Sequence, residues 1–371
     1  MKSYNANTER PRIQTLDGLR FLAAMGVLWI HSWTAHGNPR LWFGIFDLSS
    51  ILAIGGNGVD LFFVISGFCM YYFYGAKGKF SYYDFYRFII KRWVRLSPAF
   101  YVATIIYLLV EKFPNNYNVD TVYGFLHSVF YLNFIFGQYN SAHHFWTLTV
   151  EWQFYFIIPF LLIYQNIMGF KNTFFIIFGS LFFIAFVSVL MLKINSDIWT
   201  STILFRSIQF GCGIIAAKLL IKDTMFFKYR ALWLLVFIIV TYTGRVLISQ
   251  SALSLMPHYY NLFKLLGFTL MGCGFAGILY LSVTSTKWLK LFLGNKLFKK
   301  VGRISYSFYL LHALIFNAVA NYTIKYMPFS KGIMAPLITT CISAFILYPI
   351  ALISFNYLEK PFFSIGNLTT R

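Results

Sequence analysis

The sequence predicts an all-α fold: a polytopic transmembrane bundle of about ten spanning helices, one further segment that is re-entrant or lies at the outer surface, and both termini cytoplasmic. Three observations carry this. Of 371 residues, 58% are hydrophobic and 11% charged, well under half the roughly 25% typical of soluble domains, which excludes a soluble enzyme. Apolar runs recur along the whole chain at lengths suited to a bilayer. The 31 Lys and Arg, against 11 Asp and Glu, give a formal charge of +20 and gather between those runs, where they act as topology signals. Nucleic-acid binding needs cations on a continuous solvated face, so it is set aside.

Eleven apolar runs are helix candidates: residues 18–33, 58–74, 98–110, 122–137, 145–164, 173–192, 203–221, 231–248, 262–283, 305–322 and 335–357. Four strongly basic regions, 2–12, 77–95, 218–230 and 287–303, belong in the cytoplasm by the positive-inside rule. An even number of crossings must then separate the second from the third, yet five candidates lie between them. The run at 122–137, short and interrupted by His127 and Asn133, is the one expected not to span. Polar stretches between runs stay below about twenty residues, too short for a separate soluble domain. Residues 1–371 therefore read as one membrane domain, with a cytoplasmic N-terminal tail over 1–15 and a short C-terminal tail over 361–371.

The 44 Phe, 26 Tyr and 9 Trp suit packing in lipid and interfacial aromatic belts. Cys69, Cys212, Cys273 and Cys341 lie inside apolar runs without a C-x-x-C pair, so neither a disulfide framework nor a metal site is indicated. The polar start leads into a run that holds Arg20 and His31 and has no small-residue cleavage site, which reads as a retained first helix and not a signal peptide.

Ionisable residues inside such helices are functional candidates by default. Arg20 and His31 are eleven residues apart in the first helix; at 100° and about 1.5 Å per residue they share one face, roughly 16 Å apart. One face thus holds a cation and a base. The plainer alternative is an Arg snorkelling to head groups and a His satisfied by a neighbouring helix. Asp60 opens the second helix in Asn57-Gly58-Val59-Asp60, where helix capping is the competing role.

Arg87, Lys91, Arg92 and Arg95 precede Pro98 at the start of the third helix. Arg92 and Arg95 are neighbours on a helix surface and form a donor set suited to phosphate, although topology alone also asks for basic residues there. In the run at 145–164, His144, Thr147, Glu151 and Tyr155 make one polar stripe. Glu151 either orients a histidine or holds two helices together through a buried ion pair. Ser305, Tyr309 and His312 repeat the pattern, as a second base or as interhelical glue. Arg206, Gln209 and Arg245 sit near the outer ends of later helices, where they line an entrance or merely snorkel.

The order of these segments resembles the membrane-bound acyltransferase-3 family. The resemblance rests on Leu16-Asp17-Gly18-Leu19-Arg20 followed by His31, then Gly58-Val59-Asp60-Leu61-Phe62-Phe63-Val64-Ile65-Ser66-Gly67-Phe68 and Lys91-Arg92-Trp93-Val94-Arg95-Leu96-Ser97-Pro98. It continues with Trp146-Thr147-Leu148-Thr149-Val150-Glu151, Gly302-Arg303-Ile304-Ser305-Tyr306-Ser307-Phe308-Tyr309-Leu310-Leu311-His312 and Leu358-Glu359-Lys360-Pro361. The chain departs from the family where Trp152 follows Glu151 in place of a second Glu and where Thr147 and Thr149 replace serines.

The resemblance implies transfer of an acyl group, usually acetyl from acetyl-CoA, to a sugar hydroxyl of a cell-surface glycan, by a multi-pass protein of the bacterial inner membrane and without a metal. The acceptors of such proteins include O-antigen (lipopolysaccharide), exopolysaccharide, common antigen, peptidoglycan and macrolide sugars. In the family, residues spaced like Arg20 and His31 are essential and arginines like Arg92 and Arg95 are implicated. The chain is expected to be of the kind without an SGNH-type hydrolase domain, which acylates the acceptor itself or hands the group to a separate glycan-assembly or periplasmic transferase partner.

His31 is then the base or acyl carrier, and Asp60 or Glu151 fixes its tautomer. Arg20, Lys91, Arg92 and Arg95 hold the donor, while Trp146, Tyr309 and His312 are candidate substrate contacts. Acceptor choice is expected in outer loops such as 34–53. The competing class is a polytopic transporter or flippase of a glycan-assembly pathway, with Arg20, His31 and Glu151 as a substrate or proton path. A third class is a structural assembly subunit, which would not need His31.

Overall fold

The structure, a computed structural model, describes residues 12–44, 46–75, 79–112, 119–132, 142–192, 201–222, 227–249, 259–285, 288–327 and 332–363. Most of the N-terminal tail, the stretch from Asn133 to Gly137 and most of the C-terminal tail lie outside the described residues. In chain order the helices are α1 (Gln14–Ala35), α2 (Gly58–Tyr74), α3 (Tyr82–Tyr107), α4 (Val119–Val129), α5 (Trp146–Met168) and α6 (Phe170–Met191). They continue with α7 (Ile203–Ile221), α8 (Arg230–Leu247), α9 (Tyr260–Thr284), α10 (Trp288–Leu293), α11 (Lys296–Arg303), α12 (Ser305–Tyr326) and α13 (Met334–Ser354). The described strands are the two-residue pair Trp42–Phe43 and Phe46–Asp47, antiparallel to each other.

Helices dominate because lipid offers no partner for backbone N–H and C=O groups, so a spanning segment must satisfy them internally. Among the described residues, eight helices are long and apolar enough to cross a membrane. The chain is a multi-pass membrane protein. Helices α1 and α12, each 22 residues, reach roughly 33 Å and add two of spanning length, with polar residues such as Asp17, Arg20 and His312 lowering their apolarity. Helix α4 has 11 residues, about 16 Å, too short for a core of about 30 Å.

The third helix begins at Tyr82, upstream of the apolar run at 98–110, and carries Arg87, Lys91, Arg92 and Arg95 in its first part, as their placement at its start implied. A reciprocal cap fixes that start: the Asp84 N–H donates to Ser81 Oγ at 3.1 Å, and the Ser81 N–H donates back to Asp84 Oδ2 at 2.9 Å, satisfying donors that a helix start leaves orphaned.

Two compact units form. The first comprises 60–92 and 118–286. In it α2 and α7 cross at reciprocal glycines: a Cβ on Gly67 would collide with the Phe210 carbonyl oxygen, and one on Gly213 with the Val64 carbonyl oxygen. Without a hydrophobic drive between helices in lipid, such close backbone approach is what associates them. Beside the crossing lies a core of Ala185, Phe205, Leu265, Phe268 and Met271. The second unit comprises 14–59, 93–117 and 287–371. There α1 packs against α10, α11, α12 and α13, with Gly18 against the Leu293 backbone, Gly302 against Asp17, and Phe21 stacked on Phe298 at 4.1 Å.

Candidate active site

In the second unit, α1 presents Arg20 and His31 on the face that the sequence places them on. Arg20 Nη1 lies 3.5 Å from Asp17 Oδ1, with the arginine side chain 30% exposed and the aspartate 2%. The pairing orients the guanidinium and leaves part of it open to a ligand. Toward the other end of α1, the His31 ring lies 5.2 Å from that of His312 and 5.7 Å from that of Phe316, both on α12. His312 is fully buried. Its Nδ1–H donates to the Tyr309 carbonyl at 2.5 Å, a tautomer that puts the lone pair on Nε2. The Tyr309 ring also lies 5.2 Å from the imidazole, tilted by 33°. Residues from two separate stretches of sequence, His31 on α1 and Tyr309 with His312 on α12, thus form one cluster.

The same unit holds Arg95, exposed on α3, with its guanidinium 4.8 Å above the Phe363 ring. Glu359, buried, accepts a hydrogen bond from Ser307 Oγ, which is also 2.8 Å from Ser354 Oγ. The motif Leu358-Glu359-Lys360-Pro361 therefore ties the end of α13 to α12 through a buried carboxylate.

In the first unit, Asp60 accepts hydrogen bonds from Arg206 Nη1 at 2.5 Å and Gln209 Nε2 at 2.7 Å. All three are buried. Asp60 lies in the first turn of α2, where capping is the local option, yet its carboxylate reaches across to α7. Arg206 does not snorkel to the membrane surface: its guanidinium sits 3.6 Å over the Phe268 ring and 5.2 Å over Trp146. Trp146, the first residue of α5, also meets Phe63 edge-on at 6.1 Å.

Glu151 accepts from Ser66 Oγ at 2.9 Å and from Tyr155 OH at 2.5 Å. Arg92 stands over the rings of Phe88, Tyr155 and Tyr74 at 5.4, 5.7 and 5.9 Å and donates to Tyr74 OH at 3.4 Å. Its Nε is buried without a hydrogen-bond partner among the described residues. The aromatic cage fixes this cation on α3. Arg92 and Arg95, one turn apart on α3, thus have separate partners, and Lys91 is half-buried beside them. The polar stripe is shorter than its spacing implied, because His144 belongs to a tight 3-10 turn ahead of α5 and its carbonyl accepts from Thr147 Oγ1 at 3.1 Å.

Sequence spacing gave no weight to Arg206 and Gln209 as partners of Asp60, nor to Ser66 and Tyr74. The available signal was charge: an acid and a base in separate apolar helices are each costly unless they meet.

A family model described as an acyltransferase domain matches residues 13–355. The chain belongs to the acyltransferase-3 family. Among curated relatives of this family member is "Putative acetyltransferase ORF330" of Acidianus two-tailed virus, 26% identical over 227 residues, covering 60% of this chain and 61% of the relative. "Nodulation protein 10" of Rhizobium leguminosarum is 29% identical over 167 residues, 39% of this chain and 43% of the relative. "Peptidoglycan O-acetyltransferase OatA" of Listeria monocytogenes is 30% identical over 172 residues, 42% of this chain and 25% of the relative. The matches thus span less than two thirds of each relative's length. No solved structure matches this acyltransferase-family chain at a significant level.

Proposed function

We propose that this chain is a membrane O-acyltransferase that moves an acyl group, most simply acetyl, from cytoplasmic acyl-CoA to a sugar hydroxyl of a cell-surface glycan. Family membership and relatives named as acetyltransferases support the reaction class. The observation that carries the site assignment is the imidazole pair of His31 and His312, with ring centroids 5.2 Å apart.

Acyl transfer from a thioester needs a base for the alcohol proton and positive charge or donors for the developing oxyanion. His31 takes the proton of the acceptor hydroxyl as its oxygen attacks the thioester carbonyl. The C–S bond then breaks, and the proton passes from the imidazolium to the leaving thiolate. An acyl-imidazole on His31 is the two-step version of the same transfer. The Tyr309 carbonyl holds the buried His312 imidazole, whose fixed ring stands beside that of His31 and positions it. Arg20 on the same face of α1 and the exposed Arg95 supply cations for the donor's phosphates. A glycan or a lipid-linked oligosaccharide is the acceptor, and the bacterial inner membrane is the site of action.

The test supplies labelled acetyl-CoA to membranes holding wild type or His31→Ala at matched protein levels and follows label into glycan. Loss of label with His31→Ala is expected. Transfer that persists undiminished in the variant would sink the assignment of His31.

A further inference from the structure

A second basic site lies in the first unit, lined by residues that the proposed transfer does not use. A cavity of about 510 Å³ is lined by Phe170, Lys171, Asn172, Ile215, Lys218 and Lys222, among others. Gly169, with φ of +80°, makes the reversal between α5 and α6 that sets Phe170, Lys171 and Asn172 opposite the end of α7. Lys218 is in the last turn of α7 and Lys222 is its C-cap, four residues on and so on the same side of the helix.

Lys218 is anchored. Its Nζ donates to Tyr71 OH at 3.0 Å, which in turn donates to Gln165 Oε1 at 2.8 Å, and it lies 4.7 Å over the Phe170 ring. These partners are neutral, so they orient the ammonium without cancelling its charge. No acidic side chain lines the cavity among the described residues. Like charges four apart on a helix are unfavourable, and the helix C-terminus offsets only about half a charge. The positive-inside rule accounts for lysines at cytoplasmic helix ends but not for three of them converging on one cavity. A volume of this size is ample for a ligand, and its walls combine cations with the apolar surfaces of Phe170 and Ile215.

We infer that this cavity binds a phosphate-bearing anion, with Lys218 as the fixed contact and Lys171 and Lys222 closing on the phosphate. Two sources offer that chemistry: an anionic phospholipid head group, or the nucleotide end of a coenzyme A thioester. The inference does not depend on the transfer reaction.

The test uses the full chain in nanodiscs of phosphatidylcholine alone. One arm titrates coenzyme A by calorimetry; the other adds phosphatidylglycerol and counts retained lipid by native mass spectrometry. At least one probe is expected to bind wild type and to weaken tenfold or more in Lys171→Ala/Lys222→Ala, with recovery in Lys171→Arg/Lys222→Arg. Both substituted lysines are exposed, and Asn172→Glu, which adds a carboxylate at the wall, gives an independent loss. Response of phosphatidylglycerol alone names the lipid, and response of coenzyme A alone names the donor. Equal binding of both probes by wild type and the charge-removing variants overturns the site.

Discussion

Asp60 on α2 and Arg206 on α7 form a buried ion pair with a 2.5 Å contact, although 145 residues separate them in the chain. Gln209 Nε2 donates to the same carboxylate oxygen at 2.7 Å. A charge left alone in this setting is more costly than the pair is beneficial. Arg206→Ala or Asp60→Ala is therefore expected to destabilise by about 3–5 kcal/mol, whereas Asp60→Leu/Arg206→Met should recover most of that loss. Thermal unfolding of the detergent-solubilised protein measures it. Single losses that simply add in the double variant would mean that the two residues do not act as a pair.

The same two helices depend on close backbone contact. Gly67→Ala places a methyl group on the Phe210 carbonyl oxygen and should cost about 1–3 kcal/mol, the usual range for overpacking. Gly179→Ala is the control, since the nearest atom to its Cβ would be 4.0 Å away. The contrast is read from unfolding midpoints. Equal midpoints for the two variants would contradict the crossing.

Glu151 links two groups, Ser66 and Tyr155. Tyr155→Phe removes one donor to a carboxylate and should cost about 1.5–3 kcal/mol. Glu151→Ala leaves the hydroxyls of both Ser66 and Tyr155 without their shared acceptor and should cost more, about 1–3 kcal/mol for each buried donor left unsatisfied. Chemical-denaturant titration in detergent ranks the two, and the reverse order would reject this account of the cluster.

His312 is a positioning residue for His31 under the proposed function. His312→Phe keeps an aromatic ring beside His31 but removes the nitrogens, and should lower transfer on the order of 10²-fold with little change in the unfolding midpoint. A packing role alone would leave the pH–rate profile of the remaining activity where it was. A shifted profile in His312→Phe is the expected result.

Much of the bundle was legible in the chain because the bilayer enforces it. Spans such as Phe170–Met191 and Tyr260–Thr284 are long apolar runs that no other environment would satisfy. The common face of Arg20 and His31 followed from helix periodicity alone, as did the adjacency of Glu151 and Tyr155. The start of α3 was legible only as the basic run ahead of Pro98; the Ser81 and Asp84 cap that fixes its first turn lies further upstream.

The sequence by itself determined the medium, the helices and which polar residues share a helix face, since these depend on local composition and on a fixed 3.6-residue period. Only the tertiary structure decided the partners: Asp60 with Arg206, His31 with His312, Glu151 with Ser66, Ser307 with Glu359. Each of these pairs joins different helices. Which helices touch is set by where small residues such as Gly67 and Gly213 let two backbones approach, and that depends on shape across the whole bundle.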